Sequence, residues 1–248
     1  MQIRFPLCRS RIARVCPAFS VANTQLGARP RRYSSQAGEE FYDVLDNDWK
    51  PSGRRAHRDQ VHGEGLRHGV VHVWMVDPLG RLLLQQRSKN KKTLPGCWDM
   101  SAGGHIDASE TPLESVCREV GEELGLDVRN ACMALAKQIG VEFPPPAAPA
   151  GHIQRSLSLH HLISKPCYHT YKGMKYIENI MIYTYLLVTP VVLTESEFRL
   201  QLSEVDQVQW IDINEFRRRI ERQEPTYPPL AIPELLSLIR TMCAKLGE

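Results

Sequence analysis

The sequence predicts an α/β fold, an α/β/α sandwich around a mixed β-sheet. Three observations point to it. Segments of strand character lie before and after one central helix. That helix carries its own start and stop signals. A second amphipathic helix follows the last strand segments. The chain has 248 residues, enough for one domain of ordinary size with extensions. Its 42% hydrophobic and 24% charged residues fit a globular protein. No run approaches the roughly 18 apolar residues of a membrane-spanning helix.

The elements follow in order. Residues 34–66 are polar and contain Pro51, Gly53, Gly63 and Gly65, with FYDVL at 41–45 as a short strand. The folded core is expected to begin near His68. Residues 70–76 are rich in β-branched side chains, DPLG at 77–80 is a turn, and 81–87 follow. Together they predict a β-hairpin. Residues 88–95 form a lysine-rich loop, and 98–103 a short strand. After the central helix, 133–143 read as a strand and PPPAAP at 144–149 as an extended loop or linker. Residues 153–163 partly alternate and predict another strand. YIENIMIYTYLLV at 176–188 is the strongest strand signal in the chain. A further strand is expected at 205–211, with Asp212 capping a helix to about residue 221. Residues 233–246 predict a C-terminal amphipathic helix with Pro233 at its first position. No internal repeat is present.

The central helix is the most informative segment. Residues 104–126 read GHIDASETPLESVCREVGEELGL. Thr111-Pro112-Leu113-Glu114 is a capping box with proline at the first helical position. Gly125 stands where a helix C-terminus favours a left-handed residue. A helix over 112–124 follows. Leu113, Val116, Cys117, Val120 and Leu124 make its buried stripe. At about 100° per residue, Glu119, Glu122 and Glu123 fall within an arc of roughly 100° beside that stripe. Carboxylates so close repel and raise each other's pKa unless a cation sits among them. Hard oxygen donors suit Mg²⁺ or Mn²⁺. Arg118, four residues from both Glu114 and Glu122, is placed to orient carboxylates. A solvated acidic helix face is the plainer alternative.

The same segment fits G-x5-E-x7-R-E-U-x-E-E-x-G-U, with U a bulky aliphatic, at every fixed position. These are Gly104, Glu110, Arg118, Glu119, Val120, Glu122, Glu123, Gly125 and Leu126. A chance match is on the order of 10⁻⁹ per starting position. The segment therefore resembles the Nudix box, the signature of hydrolases that cut a diphosphate linked to another group. The resemblance implies the same α/β/α sandwich and Mg²⁺-dependent hydrolysis of a small-molecule diphosphate. It places the metal on Glu119, Glu122 and Glu123 with the Gly104 carbonyl, and gives Glu110 a supporting role through Arg118. Arg87, Lys91 and Lys92, in or beside the loop before the box, are candidates for substrate phosphates, against a merely solvated loop. Glu119 and Glu178 are the candidate general bases.

The likeness extends from about residue 41 to 210. YDVLD at 42–46, RHGVVHVW at 67–74, LPGCWD at 94–99, GGH at 103–105 and YIEN at 176–179 resemble the subgroup related to type I isopentenyl-diphosphate isomerase. That family moves a double bond by proton transfer and cuts no phosphate. Two departures argue against isomerisation here. Gly103 stands where the family has its catalytic cysteine, and Cys97 is six residues away. Ile180 stands where it has a catalytic glutamate. Losing both proton-transfer groups should abolish that chemistry. His68, His105 and Glu178 keep positions resembling isomerase metal ligands, so a second metal site or a base is conceivable there. Nucleoside diphosphate derivatives are the broad substrate expectation; an isoprenoid diphosphate is favoured by the subgroup alone. A non-catalytic diphosphate-binding module is disfavoured because no box carboxylate is missing.

The charge of +3 is unevenly placed. Residues 1–37 carry seven arginines, no lysine and no acid, which leaves the remainder at 3 − 7 = −4. No basic patch suggests nucleic acid. The arginine-rich, acid-free start resembles an organelle transit peptide, with Arg31-Arg32-Tyr33 ahead of Ser34-Ser35 as a processing site. Mitochondrial import is expected, with a plastid as the alternative. Seven cysteines form no C-x-x-C pair and no zinc spacing, as free thiols would. The expected organisation is a transit peptide at 1–33, an extension at 34–66, the Nudix domain at 67–221, and a C-terminal helix packed on it at 222–248.

Overall fold

The computed structural model describes residues 39–143, 153–154, 157–170, 175–227, 236–237, 239–241 and 244. The expected transit peptide and the PPPAAP segment lie outside these residues. A hairpin of β1 (Phe41–Leu45) and β2 (Pro51–His57) leads into α1 (Arg58–Glu64). Then come β3 (His68–Val76), β4 (Arg81–Arg87), β5 (Trp98–Asp99) and β6 (Ala102–His105). Helix α2 (Pro112–Leu124) follows, then β7 (Leu126–Asp127), α3 (Arg129–Ile139) and β8 (Ile153–Gln154). The chain continues through β9 (Ser158–Thr170), β10 (Ile177–Val188), β11 (Val205–Asp212) and α4 (Ile213–Glu221).

The main sheet runs β11-β4-β3-β10-β9, with β5 paired to β4 and β6 to β3. β3 and β10 are parallel and the other pairs antiparallel, so the sheet is mixed as the sequence predicts. Alternation along β3 divides the core. Val71, Val73 and Met75 pack with Val116, Val120 and Leu124 of α2 and Ala131 and Leu135 of α3. Trp74 and Val76 pack on the opposite face with Leu82, Leu84, Phe216, Leu236 and Ile239. Each fully buried aliphatic side chain contributes roughly 1.5–3 kcal/mol. The central helix matches its expected bounds, with the reciprocal Thr111–Glu114 cap and Gly125 at φ +69°. Asp212 caps α4 through the backbone N–H groups of Asn214 and Glu215.

One expectation is corrected. Residues 133–143 are not a strand: α3 covers most of them. Alanines favour helix, Ala131, Cys132, Leu135 and Ala136 form one buried face, and Gly140 closes the helix at φ +73°. The expected β3–β4 hairpin forms, and it pairs at Met75–Leu83 and Val76–Leu82. Beyond that the strands part, and Ser101 fills the fork. Its Oγ accepts from Met75 N at 2.7 Å and donates to Leu83 O at 2.6 Å. These bonds satisfy backbone groups that the parting strands leave without ladder partners. The strand expected at 153–163 is β8 and the start of β9, which runs on to Thr170 along β10. Of the expected C-terminal helix, residues 236–237, 239–241 and 244 are described, and all are helical.

Candidate functional site

The box builds its site from one helix and one glycine pair. In β6, Gly104 faces the Glu119 carboxylate so closely that a Cβ there would lie 2.2 Å from Oε1. Glu123 Oε2 accepts from the Gly103 N–H at 2.9 Å. Gly104 thus lets the Glu119 carboxylate approach the strand backbone, and the Gly103 N–H holds Glu123 there. Glu122 lies on the same helix but half-exposed, with Oε2 3.5 Å from Arg118 Nη1. Arg118 ties the group together. It donates to Glu110 from Nε at 3.0 Å, to Glu119 from Nη1 at 2.7 Å, and to the His105 carbonyl from Nη2 at 2.9 Å. Glu110 also accepts from Ser115 Oγ at 2.6 Å.

Burial pushes the Glu119 carboxyl up to about 7, against the lowering pull of Arg118. Burial, and then the charge of Glu119, also pushes Glu123 well above the usual carboxylate range. Two acids held together in this way fit a site that a divalent cation completes, since a cation removes their mutual repulsion.

The candidate phosphate residues are less uniform. Arg87 donates to the Thr93 carbonyl at 3.1 Å and to Thr93 Oγ1 at 3.2 Å, and lies 3.4 Å from Asp99. Lys91 is ion-paired with Glu204. Lys92 is exposed.

A second cluster lies at the start of β3. His68, His105 and Glu178 come together, and His62 from α1 joins them. One ligand atom from each lies within 4.8 Å of the others. Glu178 Oε2 is 3.7 Å from His68 Nε2 and 3.8 Å from His62 Nδ1. The folding reason is topological. The β3–β10 register sets Ile180 beside His68, and the β3–β6 register sets His105 beside Val70. Helix α1 then lays His62 over that end of the sheet. His68 Nδ1 donates to the Leu66 carbonyl at 2.9 Å, so Nε2 carries the lone pair. Tyr42 covers the cluster, stacked on His105 at 4.6 Å and His68 at 5.6 Å.

Three buried atoms of this cluster lack any hydrogen-bond partner: His68 Nε2, His105 Nε2 and Glu178 Oε2. Burial holds the His62 and His68 imidazoles down to about 4 and His105 well below its usual value. Burial raises Glu178 to about 7. Neutral imidazoles beside a carboxyl group, with three buried polar atoms left without a hydrogen-bond partner, fit a divalent ion. His62 was absent from the sequence-derived set. No local pattern marks it, and its only signal is its place six residues before His68.

The two isomerase-type positions also resolve. A Cβ at Gly103 would lie 2.5 Å from the Val71 carbonyl oxygen and 2.9 Å from the Met100 sulfur. Ile180 is buried with Val70 and Ile182 in an apolar cluster.

Residues 66–230 match the family model described as NUDIX domain. Nudix hydrolase 3 of Arabidopsis thaliana is 32% identical over 210 residues, covering 83% of this chain and 24% of its own length. An uncharacterized Nudix hydrolase of Escherichia coli K12, YfcD, is 38% identical over 90 residues, covering 36% of this chain and 49% of its own. Among solved structures, DR0079 of Deinococcus radiodurans matches with a TM-score of 0.53 and 19% identity, over 82% of this chain and 98% of that one. That likeness shows the fold. The chain thus spans about a quarter of the plant relative and about half of the bacterial one.

Proposed function

The chain belongs to the NUDIX domain family, and from that premise we propose that it hydrolyses a diphosphate linkage in a nucleoside diphosphate derivative or related organic diphosphate, using Mg²⁺ or Mn²⁺. Glu119 and Glu123, with Glu122 at the rim and the Gly104 carbonyl, hold the ion. When bound there, it neutralises phosphate charge, activates water and stabilises the leaving oxygen. Arg118 and Glu110 fix the carboxylates. Arg87, Lys91 and Lys92 meet the substrate phosphates, Lys91 by exchanging its Glu204 partner. Glu119 and Glu178 are the two candidate bases, each a carboxylate that can take a proton from the attacking water.

The observation that carries this reading is the pair of buried carboxylates against the Gly103–Gly104 backbone. A screen of organic diphosphates with Mg²⁺ and Mn²⁺, reading released phosphate or monophosphate, tests it. Turnover that is equal in the wild type and a folded Glu123→Gln variant would remove the assignment.

The histidine cluster favours a second bound ion. His62, His68, His105 and Glu178 would hold a divalent transition metal, since imidazole donors suit Zn²⁺ and its neighbours better than Mg²⁺. Within the isomerase-like subgroup, that site points to an isoprenoid diphosphate as one substrate to include in the screen. Isomerase chemistry itself has little support: position 103 has no room for a cysteine side chain, and Ile180 moves no proton. A non-catalytic binding module is disfavoured because every box carboxylate is in place.

A further inference from the structure

Tyr176 stands at the histidine cluster but is no part of the four-donor set. Its ring stacks on His62 with centroids 4.1 Å apart and planes 15° from parallel. Its hydroxyl lies 3.0 Å from His62 Nε2 and is also hydrogen-bonded to Glu178. It therefore links two of the four donors through one O–H group. The opposite nitrogen, His62 Nδ1, is the one nearest Glu178 Oε2, at 3.8 Å, and lies 3.3 Å from the Ile177 carbonyl.

A neutral imidazole carries one proton, and a metal takes the nitrogen without it. If Nδ1 is to face a cation, the proton must sit on Nε2. Nε2–H then donates to the Tyr176 oxygen, and the Tyr176 O–H donates onward to the Glu178 carboxylate. Both bonds run in one direction, and each oxygen has the capacity for its role. With the proton on Nδ1 instead, that N–H donates to the Ile177 carbonyl at 3.3 Å and no lone pair is left for a cation, while Tyr176 gives its proton to His62 rather than Glu178.

We propose that Tyr176 is a positioning residue that selects the Nε2–H form of His62, aims Nδ1 at the bound cation, and orients Glu178 through the same hydroxyl. This rests on the reading of the cluster as a metal site. It assigns His62 a different ligating atom from His68 and His105, whose bare Nε2 atoms face inward. Partners of this kind behind metal ligands typically change metal affinity about 10- to 100-fold.

The test uses the full chain loaded with Zn²⁺ as the probe. Long-range ¹H–¹⁵N NMR reads each imidazole, and competition against a chromophoric chelator reads affinity. In the zinc-bound wild type, His62 should ligate through Nδ1 with its proton on Nε2, while His68 and His105 ligate through Nε2. Tyr176→Phe keeps the stacked ring and should bind Zn²⁺ about 10- to 100-fold more weakly. Wild-type zinc bound through Nε2 of His62 would overturn the proposal, as would unchanged affinity in Tyr176→Phe. The wild-type spectrum decides even if the variant fails to fold. No zinc at His62, His68 and His105 in the wild type would instead overturn the underlying metal-site reading.

Discussion

The acidic helix and the histidine cluster are adjacent in the chain, since Gly104 borders one and His105 belongs to the other, yet they are built in opposite ways. Helix α2 supplies all its carboxylates from one turn and a half, and Arg118 supplies a counter-charge within the same segment. Its rim carboxylate, Glu122, is half in water. The cluster takes one donor each from α1, β3, β6 and β10. It is buried, rich in nitrogen, and has orphaned acceptors. Half in water, the first arrangement is open to an ion that arrives with a phosphate; the second encloses its donor atoms.

The largest effect should come from breaking the acidic side alone. Glu123→Gln is expected to lower hydrolysis at least about a hundredfold, because it removes a buried charge from the cation site. Glu122→Gln, at the rim, should cost about tenfold. Steady-state rates against Mg²⁺ concentration check both, with circular dichroism confirming the fold. Gly104→Ala attacks the same site through shape. Its Cβ would displace the Glu119 carboxylate from 2.2 Å, and a loss between these two is expected. Wild-type rates in Gly104→Ala would mean that Glu119 need not touch the strand.

His68→Ala should break the other side. Metal analysis of the wild type is expected to find about one tightly held transition ion per chain, and the variant none. Its hydrolysis at saturating Mg²⁺ should fall less than about tenfold if the two sites act separately. A collapse as deep as that of Glu123→Gln would show that they act as one.

The pH dependence of the metal-free protein should separate the Glu119 carboxyl of the box from the imidazoles of the cluster by sign, Glu178 sharing the sign of Glu119. The Glu119 carboxyl rises from an ordinary value of 4.5 to about 7 on folding. Its contribution is therefore present below about 4.5 and lost as pH climbs through about 7. His62 and His68 fall from 6.5 to about 4. Their contribution is present above 6.5 and lost as pH falls through about 4. Glu119→Gln should thus flatten the loss of thermal stability toward neutral pH, and His68→Ala the loss toward acid. Melting curves from pH 4 to 8, with Mg²⁺ added to cancel the Glu119 contribution, decide this; the reverse pattern would mean that these groups are not buried in solution.

The smallest expected signal is none. Isopentenyl diphosphate in deuterated water should gain no deuterium at carbon, given Gly103 and Ile180. Labelling that persists after Cys97→Ala would mean that the acid and base lie elsewhere, and the hydrolase reading would fall with it.

What short-range geometry controls is legible in the sequence alone. The span of α2, its caps, its buried stripe and the shared face of its three glutamates follow from 3.6-residue periodicity and from Thr111, Pro112 and Gly125. The strongly apolar 177–188 strand was equally legible, as was the Asp212 cap of α4. Residues 133–143 are helical because the buried face of Ala131, Cys132, Leu135 and Ala136 begins before them, a pattern that a window starting at Met133 does not show. The tertiary structure decided three further things. It put Ser101 in the fork between β3 and β4, buried Glu119 and Glu123 while leaving Glu122 in water, and brought His62 to His68, His105 and Glu178. No periodicity joins those four residues. They meet because parallel pairing of β3 with β10, across more than a hundred residues of chain, fixes a register that only the packed sheet can set.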